Sequence, residues 1–319
     1  MNILILSAGR RVSLFYSFKK ELKKYFPESS VYTVDACPEN SPVCEINKDY
    51  SKQIPKVSDA DYADTLLHFA QDKNIKIIIP TIDTELEILS AMKDQFMRLG
   101  CSIVISDQEF IIQCQDKSNQ KNFFESFNID TPTLLNRNNL SFPAFAKPKN
   151  GSRSQGIFFL KSKDDLSRSI LNDDNLIFME LVSKEDFREF TVDMYFSKES
   201  KLISLVPRER LAVRDGEVSI ARTAKGNLYE MLTERFRFLS GARGCITGQF
   251  FYAANTSKIL GIEINPRFGG GYPLTYSSGA NFQQNIIREY ALNENLAFNE
   301  NWKEGMLMLR HDSEVYVHE

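Results

Sequence analysis

The sequence predicts an α/β domain with a doubly wound parallel sheet over residues 1–106, followed by an α+β region over residues 107–319. Three observations carry this. Strand-length apolar runs at Asn2 to Ser7, Val31 to Asp35, Ile75 to Ile79 and Cys101 to Ile105 alternate with stretches whose apolar residues recur at helical spacing. Beyond Asp107 a helical stretch gives way to short strands separated by loops rich in Pro and Asn. Finally, Gly248 to Gly271 places two apolar runs around a polar turn at Asn255, Thr256 and Ser257, the signature of a β-hairpin.

The first strand leads into a helix carrying Phe15, Phe18, Leu22 and Phe26, and Val31 to Asp35 completes a βαβ opening. A second unit follows, with a helix over Asp61 to Asp72, a strand stopped by Pro80, and a helix bearing Leu89, Met92, Phe96 and Leu99. From Asp107 a helical stretch runs to Phe127, and Pro132 and Pro143 bracket a loop. Ala144 to Lys149 and Ile157 to Leu160 read as strands around the loop Asn150 to Gln155. A helix near Asp164 to Leu171 and a strand at Leu176 to Leu181 complete this lobe. Phe190 to Phe196 and Leu202 to Val206 read as another hairpin. Val315 to Glu319 reads as a strand that stops abruptly, as the end of a fragment or a contact with a separate downstream partner would.

With 319 residues the chain has room for two or three domains with proper cores. Apolar content of 42%, charged content of 25% and a net charge of -3 describe a soluble globular protein, and no polybasic field exists to hold nucleic acid or an anionic membrane. The five cysteines are scattered without a Cys-x-x-Cys pair, which fits reduced thiols in the cytoplasm. Only three histidines are present, so a zinc site is not expected. The run Ile3 to Leu6 is too short for a signal peptide or a membrane span, and the chain is expected to start at Met1 and remain cytoplasmic.

The hairpin carries the chemistry. If its turn centres on Thr256, Gln249 lies across from Glu263, and alternation puts Glu263, Asn265 and Arg267 on one side with Ile262 and Ile264 on the other. That face holds a carboxylate and two amide oxygens, hard ligands suited to Mg²⁺, beside a guanidinium able to fork onto a phosphate. A solvated polar hairpin face is the plainer reading. Lys147 sits on a strand just before a loop of small and hydroxylated residues, Asn150 to Gly156, which could lay backbone N–H groups and Ser152 or Ser154 over phosphates; a simple hairpin connection competes. Met179 to Val182 suits an adenine slot, with Glu180 reading the base edge, and Glu189 could accept from ribose hydroxyls; both carboxylates read equally as edge-strand residues. Arg208, Arg210, Arg214, Arg222 and Lys225 gather cations that could stabilise a moving phosphoryl group or merely form a solvated face. Ser7-Ala-Gly-Arg-Arg has one glycine where a dinucleotide fingerprint needs three, leaving a modest anion site with Arg10 or Arg11. Asp83 and Glu85 follow a strand end, where helix capping is the favoured reading.

Taken as an ordered series, Asp116-Lys117, Lys147 and its loop, Glu180, Glu189, Gln249 and Glu263-x-Asn265-x-Arg267 resemble the ATP-grasp superfamily, in its carbamoyl-phosphate-synthetase-like branch, where the first metal ligand is a glutamine. The resemblance spans nearly the whole chain. It implies a pre-ATP-grasp domain over 1–106, then a two-lobed ATP-grasp domain with a lid lobe over about 117–182 and a C-terminal lobe over about 183–319. Lys117 and Lys147 would contact ATP phosphates, Gly151, Ser152, Ser154 and Gly156 would close over them, and Glu180, Leu181 and Val182 would hold adenine. Glu189 would take the ribose. Gln249, Glu263 and Asn265 would coordinate two Mg²⁺ ions, with Mn²⁺ as the substitute, while Arg267, Arg208 and Arg210 would face the transferred phosphate. The loop has fewer glycines than related enzymes, and a single clamp leaves no room for a full carbamoyl phosphate synthetase.

The activity so implied is a carboxylate-amine ligase working through an acyl phosphate on small-molecule carboxylate and amine substrates, in a protein of a kind that is commonly a homodimer. A bicarbonate-activating enzyme and a nucleotide-binding regulator without turnover are the alternatives. No Ser-His or Cys-His constellation competes with a mechanism that needs no protein nucleophile.

Overall fold

The computed structural model describes residues 1–115, 120–149, 156–214 and 216–317. Its first sheet comprises β1 (Asn2–Ile5), β2 (Val31–Asp35), β3 (Ser51–Gln53), β4 (Ile75–Ile79) and β5 (Ser102–Ile103), ordered β3-β2-β1-β4-β5 with every pairing parallel. Parallel neighbours need crossovers, supplied by α1 (Val12–Tyr25), α2 (Pro42–Ile46), α3 (Tyr62–Asp72), α4 (Leu86–Ala91) and α5 (Lys93–Arg98). The stretch expected as one helix from Leu89 to Leu99 is thus two, meeting at Met92.

Alternation within these strands buries both faces. Ile3, Ile5, Ile77 and Ile79 cluster with Phe15, Phe18 and Leu22 of α1, while Leu4, Ile78 and Val34 cluster with Leu66, Phe69, Leu89 and Phe96 on the far side. Strand order reverses between β1 and β4. In a doubly wound sheet that reversal opens a crevice beyond the carboxyl ends of the strands, and here it lies between the segments Ser7 to Arg11 and Thr81 to Glu85.

Helices α6 (Gln108–Gln115) and α7 (Gln120–Glu125) lead to a small antiparallel sheet of β6 (Ala144–Pro148), β7 (Phe158–Leu160) and β8 (Leu176–Glu180), ordered β7-β6-β8, with α8 (Arg168–Leu171) between β7 and β8. Ala144, Ala146, Leu160, Leu176 and Phe178 form its own core. The third sheet is antiparallel throughout: β9 (Arg188–Phe196), β10 (Leu202–Arg214), β11 (Glu217–Thr223), β12 (Gly244–Ala253), β13 (Lys258–Asn265) and β14 (Leu307–Leu309), ordered β13-β12-β9-β10-β11-β14. Helix α9 (Asn227–Arg235) packs against β10, while α10 (Tyr272–Ser278) and α11 (Phe282–Tyr290) meet α1.

The sequence reading stops the second hairpin strand at Val206, whereas β10 continues to Arg214, so Arg208 and Arg210 are strand residues. Of the strand expected from Val315 to Glu319, Val315, Tyr316 and Val317 carry no strand pairing and are 38, 89 and 52% exposed, while His318 and Glu319 lie outside the described residues.

The N-terminal sheet is fastened to the rest by side chains of α1. Gln283 donates to Ser17 at 2.7 Å, Tyr276 donates to Glu21 at 2.8 Å, and the ring of Phe18 meets Phe268 edge-on at 5.9 Å. As a result the α1 side of the parallel sheet and one side of the six-stranded sheet share a single apolar core.

Candidate active site

Side-chain alternation in β9 sorts the six-stranded sheet into two faces. Phe190, Val192 and Met194 point into the core with Ile246 and Phe250, their neighbours on β12. Glu189, Thr191 and Asp193 point the other way. Partners across the ladders extend that second face: Arg208 and Gln249 oppose Thr191, Thr247 opposes Asp193, Glu263 opposes Gln249, and Asn265 opposes Thr247. Gln249, Glu263 and Asn265 therefore stand together on one partly exposed surface. Asn265 Nδ2 donates to Glu263 Oε1 at 2.9 Å, so these two side chains touch.

The facing of Gln249 and Glu263 depends on a bulge. From Ala253↔Lys258 to Phe250↔Gly261 the ladder follows a turn centred between Asn255 and Thr256, and without a break Gln249 would meet Ile262. The register shifts by one between Gln249 and Phe250, inserting Ile262 as the extra residue and bringing Glu263 into line. Gly261 marks the spot because a Cβ there would lie 2.5 Å from the ring of Phe124.

These donors fit a hard cation. One carboxylate and two amide oxygens are the ligand types that Mg²⁺ accepts alongside phosphate oxygens and water. Among the described residues no group of three or more His, Cys, Asp or Glu is placed to hold a metal, so phosphate oxygens would have to complete the shell.

Arg267 lies past the end of β13, its N–H bonded to Asn265 O at 2.8 Å, and faces the crevice of the parallel sheet. Its Nε and Nη2 donate to the two carboxylate oxygens of Asp83 at 2.8 and 2.5 Å. Asp83 is thus not a cap, as the sequence reading favoured, but half of an ion pair joining two sheets. Glu85 does cap: Thr81 N–H and Ile82 N–H donate to its Oε1, and Ser7 Oγ donates to Oε2. Burial pushes the Glu85 carboxyl up to about 7, against the pull of those donors and of Arg11. Arg11 donates to Phe268 O and Thr81 O, and burial, with repulsion from Arg267, lowers it to about 10.

Of the other arginines, Arg208 is 1% exposed and holds Asp193 with Nε at 2.8 Å and Nη2 at 3.1 Å. Thr247 and Thr275 also donate to Asp193. Arg208 Nη1 has no hydrogen-bond partner among the described residues and passes beside Gly271, where a Cβ would lie 2.1 Å away. Arg208 is therefore buried beneath the site rather than displayed on it. Arg210 pairs with Glu189 at 2.9 Å, with Glu189 still 29% exposed.

On the small sheet, Lys147 opposes Ile177, and Glu180 ends β8 with its Oε1 accepting from Thr133 N–H at 3.0 Å. Leu181 and Val182 follow, half-buried. Gly156 has φ +68°, which favours glycine. Lys117, Gly151, Ser152 and Ser154 lie outside the described residues.

Comparison with known proteins agrees with this architecture. Residues 3–104 match the family described as PylC-like, N-terminal domain, and residues 172–311 match that described as ATP-grasp in the biosynthetic pathway with Ter operon. The chain thus carries an ATP-grasp domain behind a PylC-like N-terminal domain. No curated protein matches the sequence. Among solved structures, biotin carboxylase from Campylobacter jejuni in complex with β,γ-ATP is similar at a TM-score of 0.71 and 13% identity, over 96% of this chain and 74% of that one. The biotin carboxylase domain dimer of Hydrogenobacter thermophilus 2-oxoglutarate carboxylase, with MgADP, ADP and bicarbonate, gives 0.69 and 12% over 96% and 73%. L-amino acid ligase from Bacillus licheniformis gives 0.64 and 14% over 91% and 73%. At such identities the likeness is one of fold. Among the described residues, no helix is long and apolar enough to cross a membrane.

Proposed function

We propose that the protein is an ATP- and Mg²⁺-dependent carboxylate-amine ligase that works through an acyl phosphate and releases ADP and phosphate. The observation that carries the proposal is the Glu263–Asn265 contact opposite Gln249, on the sheet face that leads to Arg267. In this reading residues 1–106 form the pre-ATP-grasp domain and residues 107–319 the clamp. Glu180, Leu181 and Val182 hold adenine and Glu189 the ribose. Lys117, Lys147 and the loop containing Gly151, Ser152, Ser154 and Gly156 hold the phosphates.

Gln249, Glu263 and Asn265 would bind two Mg²⁺ ions, which when present draw charge from the phosphate oxygens. Two anions must meet for the reaction to occur. Arg267 neutralises the acyl carboxylate and the γ-phosphoryl group, with Arg210 on the adjoining strands. Arg208, buried and fixed by Asp193, supports the platform from beneath and does not meet the phosphate. A carboxylate oxygen attacks the γ-phosphorus as the bond to ADP breaks. The amine nitrogen then attacks the acyl carbon, phosphate leaves, and the amine proton passes to solvent. The small sheet closing over the nucleotide would keep water from the acyl phosphate.

Glu263→Ala is the direct test. Phosphate release from ATP, Mg²⁺ and a panel of carboxylates and amines should fall by at least about a hundredfold, the scale of losing a metal ligand's contribution, with the thermal midpoint nearly unchanged. Full activity in that variant would sink the metal assignment. Turnover with bicarbonate and ammonia, and none with other carboxylates, would transfer the proposal to a bicarbonate-activating enzyme.

A further inference from the structure

The Arg267–Asp83 pair occupies the position where the ligase reading needs the acyl substrate. Its members come from different sheets, Asp83 from the turn after β4 and Arg267 from the loop after β13, and both sit at the crevice, 16% exposed for Arg267 and 30% for Asp83. Gln115 Nε2 donates to Asp83 O at 3.1 Å and steadies the turn. The charged groups behind them are already engaged: Arg11 by two carbonyls, and Glu85 by two backbone N–H groups and Ser7. Of these four groups, Asp83 and Arg267 are the two held by a side chain of opposite charge that a substrate could replace in kind, Arg267 keeping a further bond from Nη1 to Phe268 O.

A carboxylate that takes the guanidinium from Asp83 leaves that side chain without its counter-ion in a partly closed crevice. Removing one partner of such a pair costs more than the pair itself contributes. A molecule carrying both an ammonium and a carboxylate replaces each half in kind and leaves nothing unpaired.

We infer that Asp83 is a specificity-determining residue: it accepts the ammonium group of a zwitterionic acyl donor, an amino acid, whose carboxylate takes the place of Asp83 on Arg267. The inference rests on the ligase reading and extends it to a substrate class. It also assigns Asp83 a second effect. Held on a carboxylate, the donor's own amine stays protonated and cannot attack the acyl phosphate, so the nucleophile must be a separate amine.

The test is isothermal titration of the whole protein, loaded with Mg²⁺ and a non-hydrolysable ATP analogue, with the common amino acids and their des-amino counterparts, such as alanine against propionate and aspartate against succinate. In the wild-type protein at least one amino acid should bind about tenfold or more tightly than its counterpart, the scale of one charge-assisted contact. Asp83→Asn should shrink that ratio to within about threefold, and Arg267→Gln should weaken amino acid and carboxylate alike. The thermal midpoint of each variant reports that it is folded. Equal binding of the two classes by the wild type, an unchanged ratio in Asp83→Asn, or no amino acid bound at all would overturn the inference. Failure of the wild-type protein to bind the ATP analogue would overturn the ligase reading as well.

Discussion

Glu85 shows how a single buried group can set a pH response. Its carboxyl is raised from 4.5 to about 7 by burial, so between those values the folded state keeps a proton that the unfolded chain has lost. The associated stability is fully present below about pH 4.5 and is lost as pH rises through 7, by at most about 3 kcal/mol. Glu85→Gln should flatten this dependence, because an amide oxygen still accepts from Thr81 and Ile82 while its NH₂ can donate to Ser7. Urea melts at pH 5 and pH 8 check it; an equal stability loss across that interval in both proteins would contradict the assignment. At this scale the sequence was partly legible. Capping by Glu85 follows from a carboxylate placed just after a strand end, but the Asp83 pairing joins residues 184 positions apart and leaves no local trace. The same holds for Asp193, an ordinary-looking strand residue until Arg208, Thr247 and Thr275 converge on it. Arg208 was readable as a functional cation and not as a buried one, because alternation assigns a face without saying what later packs upon it.

The hairpin of β12 and β13 makes the corresponding point for elements. Counting from a turn at Thr256 pairs Gln249 with Glu263, and the structure has that pair, yet the turn lies half a residue earlier and a bulge restores the match. Alternation was legible because it is intrinsic to extended backbone. The bulge was not, since it depends on Phe124 pressing against Gly261 from another element. Gly261→Val should therefore destabilise the protein by about 1–3 kcal/mol, through overpacking against that ring, and should reduce Mg²⁺-dependent turnover more than it weakens nucleotide binding. A thermal melt with an assay across Mg²⁺ concentrations decides; a variant as stable and active as the wild type would show that the bulge does not set the register. Strand β11 and helices α9, α10 and α11 are absent from the sequence reading for a similar reason. Glu217 to Thr223 mixes charged with apolar residues without a clean alternation, and α10 is short and begins after three glycines.

For the whole molecule, the order of sheets and the doubly wound start follow from apolar runs alternating with helical spacing, a pattern that survives without tertiary information. How the sheets meet does not, because contacts such as Gln283 to Ser17 and Phe18 to Phe268 join distant residues. Those contacts have an outcome for denaturation. One continuous apolar core runs from Ile3 through α1 and α11 to Trp302, so on that side the interior of the N-terminal sheet is continuous with that of the six-stranded sheet. Freed of its neighbour, residues 1–106 would lose the cover that Phe268 gives Phe18, and calorimetry of the intact chain should give a single cooperative endotherm over these two sheets where separable domains would give two.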